Sequence, residues 1–104
     1  MTQSPLGEAP SSHVPDSAVP RLPRGVRFRR DEARGGWVLL APERILQPDP
    51  VAVEILTRID GAATLGAIVD SLSVAFNADR ARIDADVRAF LGGLVEKGFV
   101  EFGP

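Results

Sequence analysis

The 104-residue chain has no cysteine and no tyrosine, and only one histidine, one tryptophan and one methionine. The lack of cysteine excludes disulfides, thiolate zinc sites, iron–sulfur ligation and a cysteine nucleophile, and it is compatible with a reducing compartment. The first residues show no basic stretch followed by an apolar core, so we expect a cytoplasmic protein. Every apolar run is broken by charge or proline well before the ~20 residues of a membrane span, so no membrane partner is expected.

Residues that could support catalysis are equally scarce. The single histidine, His13, lies in a proline-interrupted stretch, whereas acid–base catalysis needs an oriented partner and a fixed geometry. The glycine-rich patterns that cradle phosphates are absent from the sequence. Asp84 and Asp86 are two positions apart in a predicted helix, so their side chains point in different directions. The sequence predicts no catalytic residue, no metal site and no cofactor.

The composition divides the chain near residue 20. Residues 1–20 contain four evenly spaced prolines among Ser, Gly, Ala and Gln, with few large apolar side chains. Such a segment buries too little surface to offset the entropy lost on ordering. We therefore predict a disordered tail or linker over residues 1–20 and one folded domain over residues 21–104.

The first half of this domain has the two-residue period of strands. Residues 26–29 alternate apolar and basic side chains, and residues 31–36 have the composition of a turn. Residues 37–40 are aromatic and branched, which favours a second strand. Residues 44–47, bounded by Pro42 and Pro48, form a short third strand candidate.

The second half changes to helical periodicity. Asp49 and Pro50 suit the N-cap and first position of a helix that Gly61 ends, and Thr64 caps a second helix. The longest helix is predicted over residues 80–97, with Gly98 just beyond its end. Residues 99–102 form either a short final strand or an apolar segment packed on the sheet.

The order of elements predicts an α+β fold: a three-stranded antiparallel sheet followed by three helices, similar to a winged helix-turn-helix. Such a fold makes DNA binding an alternative function. However, the third helix carries acids in its first half, the chain has a net charge of −2, and recognition helices need a cationic N-terminal face. We therefore expect no nucleic-acid partner.

The third strand candidate allows two interpretations. A short edge strand with apolar side chains and unpaired backbone groups is a template for an added peptide strand. Alternatively, its flanking prolines only protect the edge against aggregation. The residues alone leave both interpretations open.

Several motifs in this order resemble the PqqD family of pyrroloquinoline quinone (PQQ) biosynthesis. They include Arg24-Gly25-Val26-Arg27, Leu39-Leu40-Ala41-Pro42-Glu43, Asp60-Gly61, and Ile83, Asp86, Val87, Phe90, Leu91 and Leu94 at helical spacing before Gly98. The resemblance covers about residues 20–102. Many relatives have Tyr-Pro-Glu-Gly where this chain has Ala41-Pro42-Glu43-Arg44, so the bend before the third strand is expected to be less permissive.

The resemblance implies a non-catalytic peptide chaperone. Family members bind the ribosomal precursor peptide PqqA and deliver it to PqqE, a radical S-adenosylmethionine enzyme. The same fold serves as the recognition element of many peptide-modifying enzymes, where the peptide adds as a strand beside the third strand and rests against the third helix. In some relatives the D protein is fused behind the C protein, so PqqC is a further expected partner and residues 1–20 resemble the linker of such a fusion.

These implications and the edge strand together predict two surfaces. The predicted peptide-binding residues are Glu43, Arg44, Ile45, Leu46, Gln47, Val87, Arg88, Leu91 and Val95. Leu91 and Val95 form a ridge in this interpretation, whereas in the alternative they complete the core, as apolar helix stripes usually do. The predicted enzyme-facing residues are the hairpin arginines Arg27, Arg29, Arg30 and Arg34.

Overall fold

A computed structural model of the chain describes residues 14–103. His13 and the rest of the predicted tail before residue 14 lie outside the described residues. The elements in chain order are β1 Val19–Arg21, β2 Arg27–Arg30, β3 Trp37–Ala41, β4 Arg44–Leu46, α1 Pro50–Thr57, α2 Leu65–Ala75, α3 Arg80–Glu96 and β5 Glu101–Gly103. The predicted α+β class, with a three-stranded antiparallel sheet before three helices, is confirmed. The likeness to a winged helix stays a prediction.

The main sheet has the order β2-β3-β4, with both pairs antiparallel. Phe28 and Leu46 flank Leu39 in register, so these three side chains share the inner face and pack toward the helices. The predicted third strand corresponds to β4. It ends at Leu46, one residue before the predicted end, because Gln47 and Pro48 already lead into α1. This arrangement leaves β2 and β4 at the two edges of the sheet.

The first two helices begin at their predicted N-caps, and α3 begins at residue 80 as predicted. The side chains of Asp49 and Thr64 accept hydrogen bonds from the backbone N–H groups of Ala52 and Ala67, and Asp79 caps α3 in the same way. Gly98 follows α3 with φ +81°, which is the left-handed conformation expected at this position. The core lies between the helices and the sheet, and its most deeply buried side chains are Leu39, Leu65, Ile68, Val69, Leu72, Val87, Leu91 and Val100.

Ordered structure begins before residue 21. β1 pairs antiparallel with β5 in a separate two-stranded sheet, and Ala18 and Pro20 are buried. The predicted tail is therefore wrong for residues 14–20. The final strand was one of two expectations for the C-terminal segment, but it pairs with β1 and not with the main sheet. Composition could not show this, because residues 14–20 are held in place by partners more than 45 positions away in sequence.

Residues 14–18, here called the N-terminal arm, attach to the first turn of α2. The N–H groups of Leu65 and Gly66 donate to the carbonyl oxygens of Ala18 and Asp16, at 2.8 and 2.9 Å. A Cβ on Gly66 would lie 3.0 Å from Cβ of Asp16, so glycine permits this close approach. The first N–H groups of a helix have no acceptor within the helix, and here two of them bind carbonyl oxygens of the N-terminal arm.

Candidate functional site

The β4 strand is an open edge. Within residues 14–103 it pairs only with β3, and its middle residue, Ile45, has 65% of its side chain exposed. Ala41 and Arg44 flank the two-residue turn, and such flanking residues form a hydrogen-bonded pair in a tight hairpin. The N–H and C=O of Ile45 therefore point away from β3. These two groups can accept an added strand.

The turn that precedes β4 has the geometry of a Pro-containing tight turn. Pro42 suits its first central position, and Glu43 has φ +77°, which the second central position of a type II turn requires. Arg44, which stands where many relatives have glycine, lies within β4. The expectation of a less permissive bend is therefore wrong, because the positive φ falls on Glu43 and not on residue 44.

The start of β4 is held against the end of α3. The guanidinium carbon of Arg44 lies 4.9 Å from the ring centroid of Phe99, which is a cation–π arrangement. A Cβ on Gly98 would lie 3.3 Å from Nη2 of Arg44, so the absence of a side chain there lets the arginine lie close to the backbone. Arg44 thus fixes β4 next to α3 and leaves Ile45 exposed.

An apolar pocket lies among the three helices, and α1, which follows β4 in the chain, supplies part of its wall. It has a volume of about 480 Å³ and is enclosed by the start of α1, the end of α2 and the first half of α3. Val51 and Phe76, which are 58% and 43% exposed, lie at its opening, and Ile83 contributes from α3. Asp79, Arg82 and Asp86 supply charge at the rim. The pocket can receive an apolar side chain from a segment that runs along β4 toward α1.

The two flanks of α3 differ in what they contact. Ile83, Asp86 and Phe90 share one flank by helical periodicity, and the first two line the pocket, so we call this the pocket flank. Asp84, Arg88 and Val95 share the opposite flank. Arg88 donates there to the carbonyl oxygen of Val14 and pairs with the carboxylates of Asp16 and Asp84. We call this second side the arm flank.

These positions correct the α3 part of the predicted peptide-binding set. Val87 and Leu91 are 2% and 0% exposed and belong to the core cluster, so neither offers a surface to a peptide, and Leu91 cannot form the predicted ridge with Val95. Arg88 holds the N-terminal arm, and Val95 is partly buried against the core on the same flank. The alternative core interpretation is correct for Leu91. Helical spacing alone had identified the apolar stripe but not which of its two sides stays open.

The hairpin arginines do not form one surface. Arg27 and Arg29 lie opposite Leu40 and Val38 in register and share the outer face of the sheet. Arg30 lies opposite Trp37 and belongs to the other face of the sheet. On that face the ring of Trp37 stacks on Phe28 at a centroid distance of 4.9 Å. Arg34 lies in the turn, where its Nε is 3.9 Å from Asp31.

Several carboxylates of the helical half have structural partners. Asp70 pairs with Arg80, which raises the pKa of that guanidinium. Asp60 accepts from the N–H groups of Ala63 and Ala62 at 2.8 and 2.9 Å, and these two hydrogen bonds lower the pKa of its carboxyl group. No group of three or more potential metal ligands is present in residues 14–103, and no helix in that range is long and apolar enough to cross a membrane.

The family model described as "Coenzyme PQQ synthesis protein D (PqqD)" matches residues 36–100, which is more than half of the chain. The chain belongs to the PqqD family. A "PqqA binding protein" of Rhodopseudomonas palustris strain HaA2 is 52% identical over 87 residues, which cover 84% of this chain and 85% of that relative. The "Bifunctional coenzyme PQQ synthesis protein C/D" of Methylorubrum extorquens is 48% identical over 85 residues, covering 82% of this chain and 23% of that longer protein.

Solved PqqD structures have the same fold. The solution NMR structure of the PqqD truncation of Methylobacterium extorquens PqqCD, described as a stand-alone recognition element for ribosomally synthesized and post-translationally modified peptides, has a TM-score of 0.71 at 45% identity. The match covers 88% of this chain and 97% of that one. The crystal structure of PqqD from Xanthomonas campestris has a TM-score of 0.51 at 38% identity, covering 81% and 93%.

Proposed function

We propose that this PqqD chain binds the precursor peptide PqqA and presents it to the radical S-adenosylmethionine enzyme PqqE in PQQ biosynthesis. The observation that carries this proposal is the open β4 edge in a chain of the PqqD family. The helix that follows this strand contributes Val51 to an apolar pocket. Relatives named PqqA binding proteins, which are up to 52% identical in the matches above, support PqqA as the peptide.

Binding at this site proceeds by strand addition. PqqA pairs its backbone with the outward N–H and C=O of Ile45, in the edge formed by residues 43–47. Backbone pairing supplies affinity without regard to sequence, so specificity comes from the side chains that alternate along the added strand. An apolar side chain beyond the paired segment enters the pocket between Val51 and Ile83.

In this proposal the α3 contribution comes from the pocket flank, because Val87 and Leu91 are buried in the core and Arg88 holds the N-terminal arm. Ile83 and Phe90 are partly buried and offer apolar surface next to the core, and Asp86 is exposed at the pocket rim. Binding there leaves the arm flank undisturbed, so Arg88 keeps its contacts with Val14 and Asp16 when PqqA is bound.

The role is that of a cytoplasmic, non-catalytic presenter. Asp84 pairs with Arg88 and Asp70 with Arg80, and Asp60 accepts backbone hydrogen bonds, so these three carboxylates have structural roles. PqqC is a second partner in this proposal, supported by the relative in which the C and D proteins form one chain. Of the hairpin arginines, Arg27 and Arg29 face PqqE in this proposal, because they share the outer face of β2, at the edge of the sheet opposite β4.

A titration with labelled PqqA and with duplex DNA, each at 50 and 200 mM salt, tests the function. We expect saturable PqqA binding that changes little with salt, since backbone pairing and apolar contacts dominate. DNA binding would instead weaken by orders of magnitude over this range as condensed counterions are released. PqqA that fails to bind, together with salt-sensitive DNA binding, would overturn the proposal in favour of a nucleic-acid function.

A further inference from the structure

The outer face of the main sheet carries an unusual combination of side chains. Arg27, Leu40 and Ile45 lie side by side across the three strands, because Arg27 pairs with Leu40 and Leu40 with Ile45 in register. Arg29 lies two residues along β2 and shares the same face. Ile45 is the more exposed of the two apolar side chains. A depression of about 580 Å³ lies beside it, lined by Leu40, Ala41, Glu43, Arg44 and Ile45, so one carboxylate and one guanidinium border it. We call Arg27, Arg29, Leu40 and Ile45 the outer-face patch.

The arginines of this patch have no carboxylate partner among residues 14–103. Five other arginines form ion pairs: Arg21 with Glu101, Arg34 with Asp31, Arg58 with Glu54, Arg80 with Asp70, and Arg88 with Asp84. Within residues 14–103, Arg24, Arg30, Arg44 and Arg82 form none, so the patch differs from them by its apolar neighbours Leu40 and Ile45. The patch is therefore a cationic and apolar surface on a chain whose net charge is −2. A protein surface with carboxylates around an apolar contact complements it in charge.

The position of Ile45 links this patch to the peptide edge. Its backbone points outward in the plane of the sheet, toward the added strand, while its side chain stands on the outer face. In a strand added to β4, alternate side chains must also stand on the outer face, beside Ile45. The bound peptide therefore extends the outer-face patch by one strand.

We infer that the outer-face patch and the outward side chains of the bound peptide together form one composite docking surface for the acidic, apolar surface of the enzyme that receives the peptide. This inference rests on the proposed function and adds to it which face of the chain meets the enzyme. It assigns recognition of the enzyme to the four residues of the outer-face patch. Arg30 is left out because its side chain belongs to the opposite face of the sheet, and Arg34 because it lies in the turn. It also makes enzyme binding dependent on the peptide.

Binding of PqqE to the full chain, measured with and without saturating PqqA, tests the inference. For the unmodified chain we expect PqqE to bind at least fivefold more tightly when PqqA is present. The double substitution Arg27→Glu and Arg29→Glu should weaken PqqE binding at least tenfold and change PqqA affinity less than twofold. Arg30→Glu, a charge reversal on the same strand but of the other parity, is the matched control and should change neither affinity more than twofold.

Leu40→Gln tests the apolar part of the patch. Leu40 lies on the central strand and not on the β4 edge, so PqqA affinity should change less than twofold while PqqE binding falls at least fivefold. Equal PqqE affinity with and without PqqA, or an Arg27/Arg29 variant that binds PqqE like the unmodified chain, would overturn the inference. Failure of the unmodified chain to bind PqqA would refute the proposed function instead, so the two failures are distinguishable.

Discussion

The arm flank and the pocket flank of α3 have similar compositions but different environments. Each carries acidic and apolar side chains. On the arm flank, Asp84 forms an ion pair with Arg88, and Arg88 also binds the N-terminal arm. On the pocket flank, Asp86 and Ile83 line an open pocket. The difference arises from what packs against the helix and not from the helix itself. A segment 70 residues earlier in sequence decides which side of α3 remains available to a ligand.

The largest expected effect tests whether the centre of the α3 stripe is core. Leu91→Ala removes a fully buried side chain and should lower the free energy of unfolding by about 2–5 kcal/mol. Urea unfolding followed by circular dichroism measures this loss. Under conditions where the variant is folded, its affinity for PqqA should equal that of the unmodified chain. A stable Leu91→Ala variant with weakened PqqA binding would restore the surface ridge of the first interpretation.

The pocket is tested from α1. Val51→Asp places a carboxylate at the opening of the apolar pocket and should weaken PqqA binding about tenfold, equivalent to ~1.4 kcal/mol. Stability should be unchanged, because a carboxylate in the first turn of a helix is favourable. Val74→Asp is the matched control, since Val74 is 80% exposed on α2 and does not line the pocket. Isothermal titration calorimetry that finds equal affinities for the two variants would remove the pocket from the site.

Arg88→Ala tests the arm flank. The substitution removes a side chain that is only 16% exposed and holds Val14 and Asp16, so we expect a loss of about 1–2 kcal/mol of stability. PqqA affinity should not change. Arg82→Ala is the control for stability. Arg82 is exposed, so its loss should change the free energy of unfolding by no more than about 0.5 kcal/mol. A selective loss of PqqA affinity in Arg88→Ala would show that the arm flank contacts the peptide.

The smallest effect concerns the loop between α1 and α2, which belongs to neither flank. The N–H groups of Ala63 and Ala62 lower the pKa of Asp60 below its usual 3.8. A lowered folded-state pKa stabilises the fold above the unfolded-state pKa, and this stabilisation is lost as the pH falls through the folded-state pKa. Asp60→Ala should therefore be slightly less stable than the unmodified chain at pH 7, and thermal unfolding should show the difference shrinking below about pH 4.

Local signals predicted most of the fold. Asp49 and Thr64 cap their helices, Gly98 ends α3, and the strand period located β2 and β3, because each of these features depends on a few neighbouring residues. The pairing of β1 with β5 escaped prediction. It joins two three-residue strands that have no tight turn between them, and strands this short leave almost no periodicity in the sequence.

The candidate site was predictable only on the strand side. The proline-bounded segment at residues 44–47 located β4 correctly at a sheet edge. The helix side failed because the stripe of α3 is apolar across its full width, from Ile83 to Val95. Choosing between its flanks required knowing that the carbonyl oxygen of Val14 meets Arg88, and this contact spans 74 positions.

The central claim is that PqqA adds as a strand to the β4 edge and lies along the pocket flank. Amide chemical shifts of the labelled chain during titration with PqqA test it most directly. We expect the largest changes within residues 43–47, at Val51 and along Ile83, Asp86 and Phe90, together with slower hydrogen exchange of the Ile45 amide. Changes concentrated in the N-terminal arm or in the turn at residues 31–36, with the Ile45 amide unaffected, would contradict the account.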